Sequence, residues 1–131
     1  KARTCFLRSK PKAQDAKGLK RGEVQIQVSN RPADRVKNEV GVYLGYPIKA
    51  DTKVQVGIDK DSFDLAPSTQ PGYRETAWLH ETKRESDLVD AMMKGSNLTV
   101  KGTSERSVAT TDTYSLKGVT AGLKAIADRC K

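Results

Sequence analysis

Apolar side chains occupy every second position in a succession of short runs, a period that only extended backbone can use to build one buried face. Across positions 23–29, Val24, Ile26 and Val28 alternate with Glu23, Gln25, Gln27 and Ser29. Val40, Val42 and Leu44 repeat the pattern, then Val54, Val56 and Ile58, then Leu98 and Val100, and last Tyr114 and Leu116 in a Thr-rich stretch that favours strands. Shorter strands are expected at 5–7, 63–65 and 77–79, the last around Trp78. Turn formers separate the runs: 30–34 with Pro32, then Gly45-Tyr46-Pro47, then a loop at 67–72. The period changes twice. Leu88, Ala91 and Met92 fall at helical spacing ahead of Gly95, which stands at a C-cap position and predicts a short helix near 85–94. Val119, Leu123, Ile126, Ala127 and Cys130 line one face of a C-terminal helix near 119–129. Leu88, Met92 and Met93, like Val119, Leu123 and Ile126, are assigned to the core. Many short strands with two late helices predict a mainly β fold, an antiparallel β-sandwich rather than a parallel α/β sheet.

The 131 residues suit one domain, 1–131, and leave little room for a second core. An integral membrane protein is not expected, because no run approaches the roughly 20 apolar residues that cross a bilayer. Charge is distributed unevenly. Of the formal +8, most lies at the start: Lys1, Arg3, Arg8, Lys10, Lys12, Lys17, Lys20 and Arg21 stand against the single acid Asp15. The remaining chain holds 16 basic and 15 acidic residues and is close to neutral. Positions 8–21 therefore read as a basic exposed loop, whose ordinary role is a solvated surface. Arg8, Lys10, Lys12, Lys17, Lys20 and Arg21 are the residues expected to touch an anionic surface if any do. Specific nucleic-acid binding is not expected, since stacking aromatics usually accompany phosphate contacts and only Phe6 lies nearby.

Two cysteines, Cys5 and Cys130, sit near opposite ends with none between. Neither has a second Cys or a His at metal-ligand spacing. A terminal disulfide is favoured over two free thiols in a cytosolic chain. It would close a loop of about 125 residues and constrain the unfolded state by roughly 5 kcal/mol. Such a bond needs an oxidising compartment: periplasm, outer membrane surface or the exterior. With neither an initiator Met nor a signal peptide at Lys1, the chain reads as processed.

Motifs for chemistry are scarce. His80 is the only histidine, so a Ser/His/Asp or Cys/His arrangement would have to run through it; an edge-strand position is the simpler reading. No Gly-x-Ser-x-Gly elbow, phosphate loop, dinucleotide fingerprint or zinc-protease motif occurs. Asp59, Asp61 and Asp64 cluster around an expected turn, where Asp is common for conformational reasons, and they lack calcium-loop spacing. Asn97-Leu98-Thr99 is a weak sequon. Trp78 and Tyr73 offer a recognition patch beside the loop at 67–72, with core burial the default for Trp78. No catalytic, cofactor-binding or metal-ligating residue is assigned.

Several stretches, in order along most of the chain, resemble one family. They are Thr4-Cys5-Phe6, Asn38-Glu39-Val40 leading to Gly45-Tyr46-Pro47, Asp87-Leu88-Val89-Asp90-Ala91-Met92, Val100-Lys101-Gly102-Thr103-Ser104, Thr111-Asp112-Thr113-Tyr114-Ser115-Leu116-Lys117-Gly118 and Ala127-Asp128-Arg129-Cys130. Together they are similar to the invasion-associated locus B family of alphaproteobacteria. The resemblance implies an exported envelope protein with an immunoglobulin-like β-sandwich and a Cys5–Cys130 disulfide. It implies no catalytic motif, cofactor or metal. Founding members are linked to invasion of host erythrocytes by Bartonella. Family members carry a signal peptide and a further stretch ahead of the first cysteine, so an additional N-terminal strand and a signal peptide are expected upstream of Lys1. The implied function is non-enzymatic binding at a host-cell surface, and the basic positions 8–21 add anionic glycans or lipid headgroups as partners expected there. The alternative is a periplasmic module that binds or protects another envelope protein.

Overall fold

The computed structural model describes residues 3–15, 20–70, 72–79 and 82–130. Nine strands, two α-helices and one 3-10 turn, Pro32–Asp34, occur among the described residues: β1 Cys5–Ser9, β2 Ala13–Asp15, β3 Gln25–Arg31, β4 Val36–Tyr43, β5 Val54–Ile58, β6 Asp61–Pro67, β7 Thr76–Trp78, α1 Thr82–Lys94, β8 Asn97–Thr103, β9 Ala109–Ser115 and α2 Val119–Arg129. All strand pairs are antiparallel, in the order β1-β3-β4-β7-β6-β5-β8-β9-β2.

One curled sheet makes both layers. β6 turns the first corner: Asp61 to Leu65 pair with β5, while Ala66 and Pro67 pair with β7. The second corner lies between β1 and β2, which join opposite ends of the strand order although only three residues separate them in sequence. Strands that pass from one layer to the other in this way close a sandwich without a long crossover. The period-two runs meet in the interior, where Val28, Leu44, Val54, Leu65, Leu98 and Val100 are all fully buried. α1 packs Leu88 and Met92 into this core, and α2 adds Leu123 and Ile126. Gly122 admits α2 close to β1, since a Cβ there would stand 3.1 Å from Leu7 Cδ2. The disulfide Cys5–Cys130 ties β1 to the end of α2, with its Cα atoms 6.0 Å apart.

Four expectations change. The basic stretch 8–21 is not one long loop: β1 runs to Ser9, and Ala13, Gln14 and Asp15 pair with Thr113, Asp112 and Thr111 of β9. Short β-pairing there needs no apolar alternation, so no period marked it. Met93 is exposed, not core, because one helical step of about 100° turns it off the stripe that Leu88 and Met92 share. Trp78 is only half-buried. Gly95 follows α1 but not as a left-handed cap: a Cβ there would overlap Ile58 Cγ2, so close packing explains the glycine.

Candidate functional site

The corner between β1 and β2 presents the basic side chains as a ridge. Arg8, Lys10 and Lys12 are exposed there. Lys20 is exposed too but lies away from this corner, lining a hollow with Pro47, Glu105 and Arg106 at the β8–β9 connection. Arg8 lies over the ring of exposed Phe6, 5.7 Å from its centre. Lys12 Nζ donates to Asn97 Oδ1, and its backbone N–H donates to Thr113 O at 2.8 Å, so the ridge is fastened to both β8 and β9. Lys17 and His80 lie outside the described residues.

Arg21 does not belong to that surface. Its guanidinium turns inward and grips Asp112, with Nη1 to Oδ1 at 2.6 Å and Nη2 to Oδ2 at 2.7 Å. Nε and Nη2 also donate to Leu44 O at 3.0 and 2.7 Å. The ring of Tyr46 lies 5.2 Å away, and Tyr46 Oη bonds Thr110 Oγ1 at 2.6 Å. Burial opposes the guanidinium charge, but the hydrogen bond and the charge of Asp112 outweigh it, so the Arg21 pKa lies above its ordinary value. Burial, then the charge of Asp112, pushes Tyr114 well above an ordinary phenol. An acid at position 112 shares the inward phase of Tyr114 and Leu116. A carboxylate on a core face requires a partner, and that was the one signal from which Arg21 could have been found.

A second feature lies on the outer face of β4, β6 and β7. Because Val40 and Val42 point into the core, Glu39, Gly41 and Tyr43 point away from it. In register, Trp78 stands between Gly41 of β4 and Ala66 of β6. These small neighbours let the indole lie down across the sheet: a Cβ at Gly41 would overlap its ring. Tyr43 meets Trp78 edge to face, centroids 6.4 Å apart. Beside them opens a hollow of about 630 Å³ whose lining includes Arg31, Glu39, Pro67, Gln70, Tyr73 and Trp78. Tyr73 is 54% exposed.

Local structure positions this hollow's polar groups. Ladder register shifts between Ser29 and Arg31, forming a bulge. There Asn38 is left-handed at φ 53°, and its N–H donates to Oδ1 of buried Asn30 at 2.7 Å. The bulge brings Glu39 Oε1 to 2.8 Å from Arg31 Nη1, and Asp34 Oδ2 lies 3.5 Å from Arg31 Nε. The hydrogen bond to Glu39 is the main reason that the Arg31 pKa is raised. The connection from β6 to β7 is internally bonded: Ser68 N–H donates to Thr76 O at 3.0 Å, Tyr73 N–H to Gln70 O at 3.0 Å, and Thr76 Oγ1 to Tyr73 O at 2.7 Å. Tyr73 and Trp78 were legible as a patch, but Arg31, Glu39 and Gln70 were not, since only the bulge and the hairpin bring them there.

Asp59, Asp61 and Asp64 are exposed around the β5–β6 hairpin, where Asp59 takes the left-handed turn position at φ 54°. No group of three or more His, Cys, Asp or Glu among the described residues is placed to hold a metal ion. No described helix is long and apolar enough to cross a membrane.

Comparison with known proteins agrees with the architecture. The crystal structure of invasion associated protein b from Bartonella henselae superposes with a TM-score of 0.60 at 15% identity, covering 94% of this chain and 84% of that one. At that identity the likeness speaks for the fold. No curated protein matches the chain. The family model described as "Invasion associated locus B (IalB) protein" matches residues 1–127, and by that match, which leaves out only the last four residues, the chain belongs to the invasion-associated locus B family.

Proposed function

We propose that this protein is an exported, non-enzymatic envelope protein that serves host-cell invasion by binding an anionic surface through its β1–β2 ridge. The carrying observation is that Arg8, Lys10 and Lys12 are exposed at a corner fastened to the rest of the sheet. Arg21 is not part of the contact, because Asp112 already holds it. Anchored cations bind a negative surface without first losing chain entropy, and half-exposed Phe6 beside them adds an apolar contact. Family membership and the terminal disulfide support the export part of the reading.

The test is charge reversal of Arg8, Lys10 and Lys12 to Glu. Each basic residue near an anionic lipid surface contributes about 1 kcal/mol, so binding to phosphatidylserine vesicles and to erythrocytes should be lost together and should weaken with salt in the wild type. Unchanged adhesion would overturn the ridge. Fractionation of intact cells separates host contact from the alternative periplasmic role: a protein found wholly inside the outer membrane cannot reach a host cell.

A further inference from the structure

The hollow on β4, β6 and β7 differs from the ridge in chemistry. Its one guanidinium, Arg31, is already 2.8 Å from Glu39 and 3.5 Å from Asp34, so it offers no unbalanced positive charge to an anion. What it offers is a pair of aromatic surfaces, Tyr73 and Trp78, set beside hydrogen-bonding groups of both kinds. We propose that this hollow binds a neutral saccharide, which stacks on Tyr73 and Trp78 while its hydroxyls hydrogen-bond Glu39, Arg31 and Gln70.

Three arguments select that ligand class. The C–H faces of a sugar ring suit the electron-rich face of an aromatic ring, and Tyr73 is 54% exposed. A carboxylate only accepts and a guanidinium only donates, whereas a hydroxyl does both, so adjacent hydroxyls of one sugar satisfy Glu39 and Arg31 at once. A proline-rich peptide also favours aromatic grooves, but proline has no N–H, so such a peptide offers Glu39 few donors. Phosphate and sialate meet the same carboxylate with a full negative charge. The site is also formed in advance, by the bulge at Asn38 and the bonded connection carrying Tyr73. Its volume of about 630 Å³ lies within the range of small-molecule sites and admits a few sugar rings.

Trp78 is the only tryptophan, so its emission reports occupancy of this hollow alone. The experiment titrates the protein with lactose, N-acetyllactosamine, maltose and cellobiose, following tryptophan fluorescence and saturation-transfer NMR. At least one sugar should give a saturable change that persists in high salt. Tyr73→Ala should weaken it roughly tenfold, as loss of an aromatic stacking surface implies. Glu39→Gln should weaken it to a similar extent, and its folding is checked by circular dichroism. Charge reversal of Lys10 and Lys12 should leave it unchanged, so failure of this site and failure of the ridge are read separately. The proposal is overturned if no neutral sugar of the panel binds, if Tyr73→Ala binds as well as the wild type, or if only sialyllactose or a proline-rich peptide binds.

Discussion

Arg21 and Asp112 are 91 positions apart in sequence and form a two-pronged ion pair whose side chains are 8% and 0% exposed. Burial makes the pair costly to break from one side. Asp112→Ala leaves a guanidinium without its carboxylate and should cost about 3–5 kcal/mol in urea unfolding, while replacing both partners with apolar residues should cost much less. A double-mutant cycle checks this; a single mutant as stable as the wild type would show that the pair is dispensable. The result also bears on function, since the pair fixes the chain just after the ridge. Charge alone grouped Arg21 with the surface lysines, because composition registers a positive residue but not the carboxylate it faces.

Among the elements, β4 connects the core to the proposed sugar site. Its inward residues, Val40 and Val42, were legible from their period. Its outward residues were not, because polar and small side chains on a solvent face carry no periodic demand. Gly41 is the test of this strand. In Gly41→Ala the new methyl meets the Trp78 ring, so the variant should lose about 1–3 kcal/mol by overpacking and shift the tryptophan emission. An unchanged spectrum and stability would mean that the indole does not lie across the strand. The bulge at Asn38 belongs to the same scale: Arg35 ends the turn that Pro32 announces, but nothing in the sequence announces the left-handed, non-glycine Asn38.

For the whole molecule, the sheet closes because short links carry the chain between layers, at β6 and between β1 and β2, and the Cys5–Cys130 bond secures the end of α2 to β1. Cys5→Ser with Cys130→Ser should cost about 2–5 kcal/mol in equilibrium unfolding, and added reductant should lower the wild type toward the double mutant without affecting the mutant itself. Equal midpoints for all three would show that the bond adds nothing. From sequence alone, local periodicity determined both helices, most strands and most of the buried side chains, because a buried face must repeat at the period of its backbone, though not β2 or the exposure of Met93 and Trp78. Terminal cysteines and ordered family motifs added the closure and the kinship. Only tertiary structure decided that one sheet folds over to make both layers, that Arg21 faces Asp112, and that Glu39, Arg31, Tyr73 and Trp78 share one hollow. Those are meetings of residues distant along the chain, set by strand register and corner geometry, and a one-dimensional pattern carries no term for either.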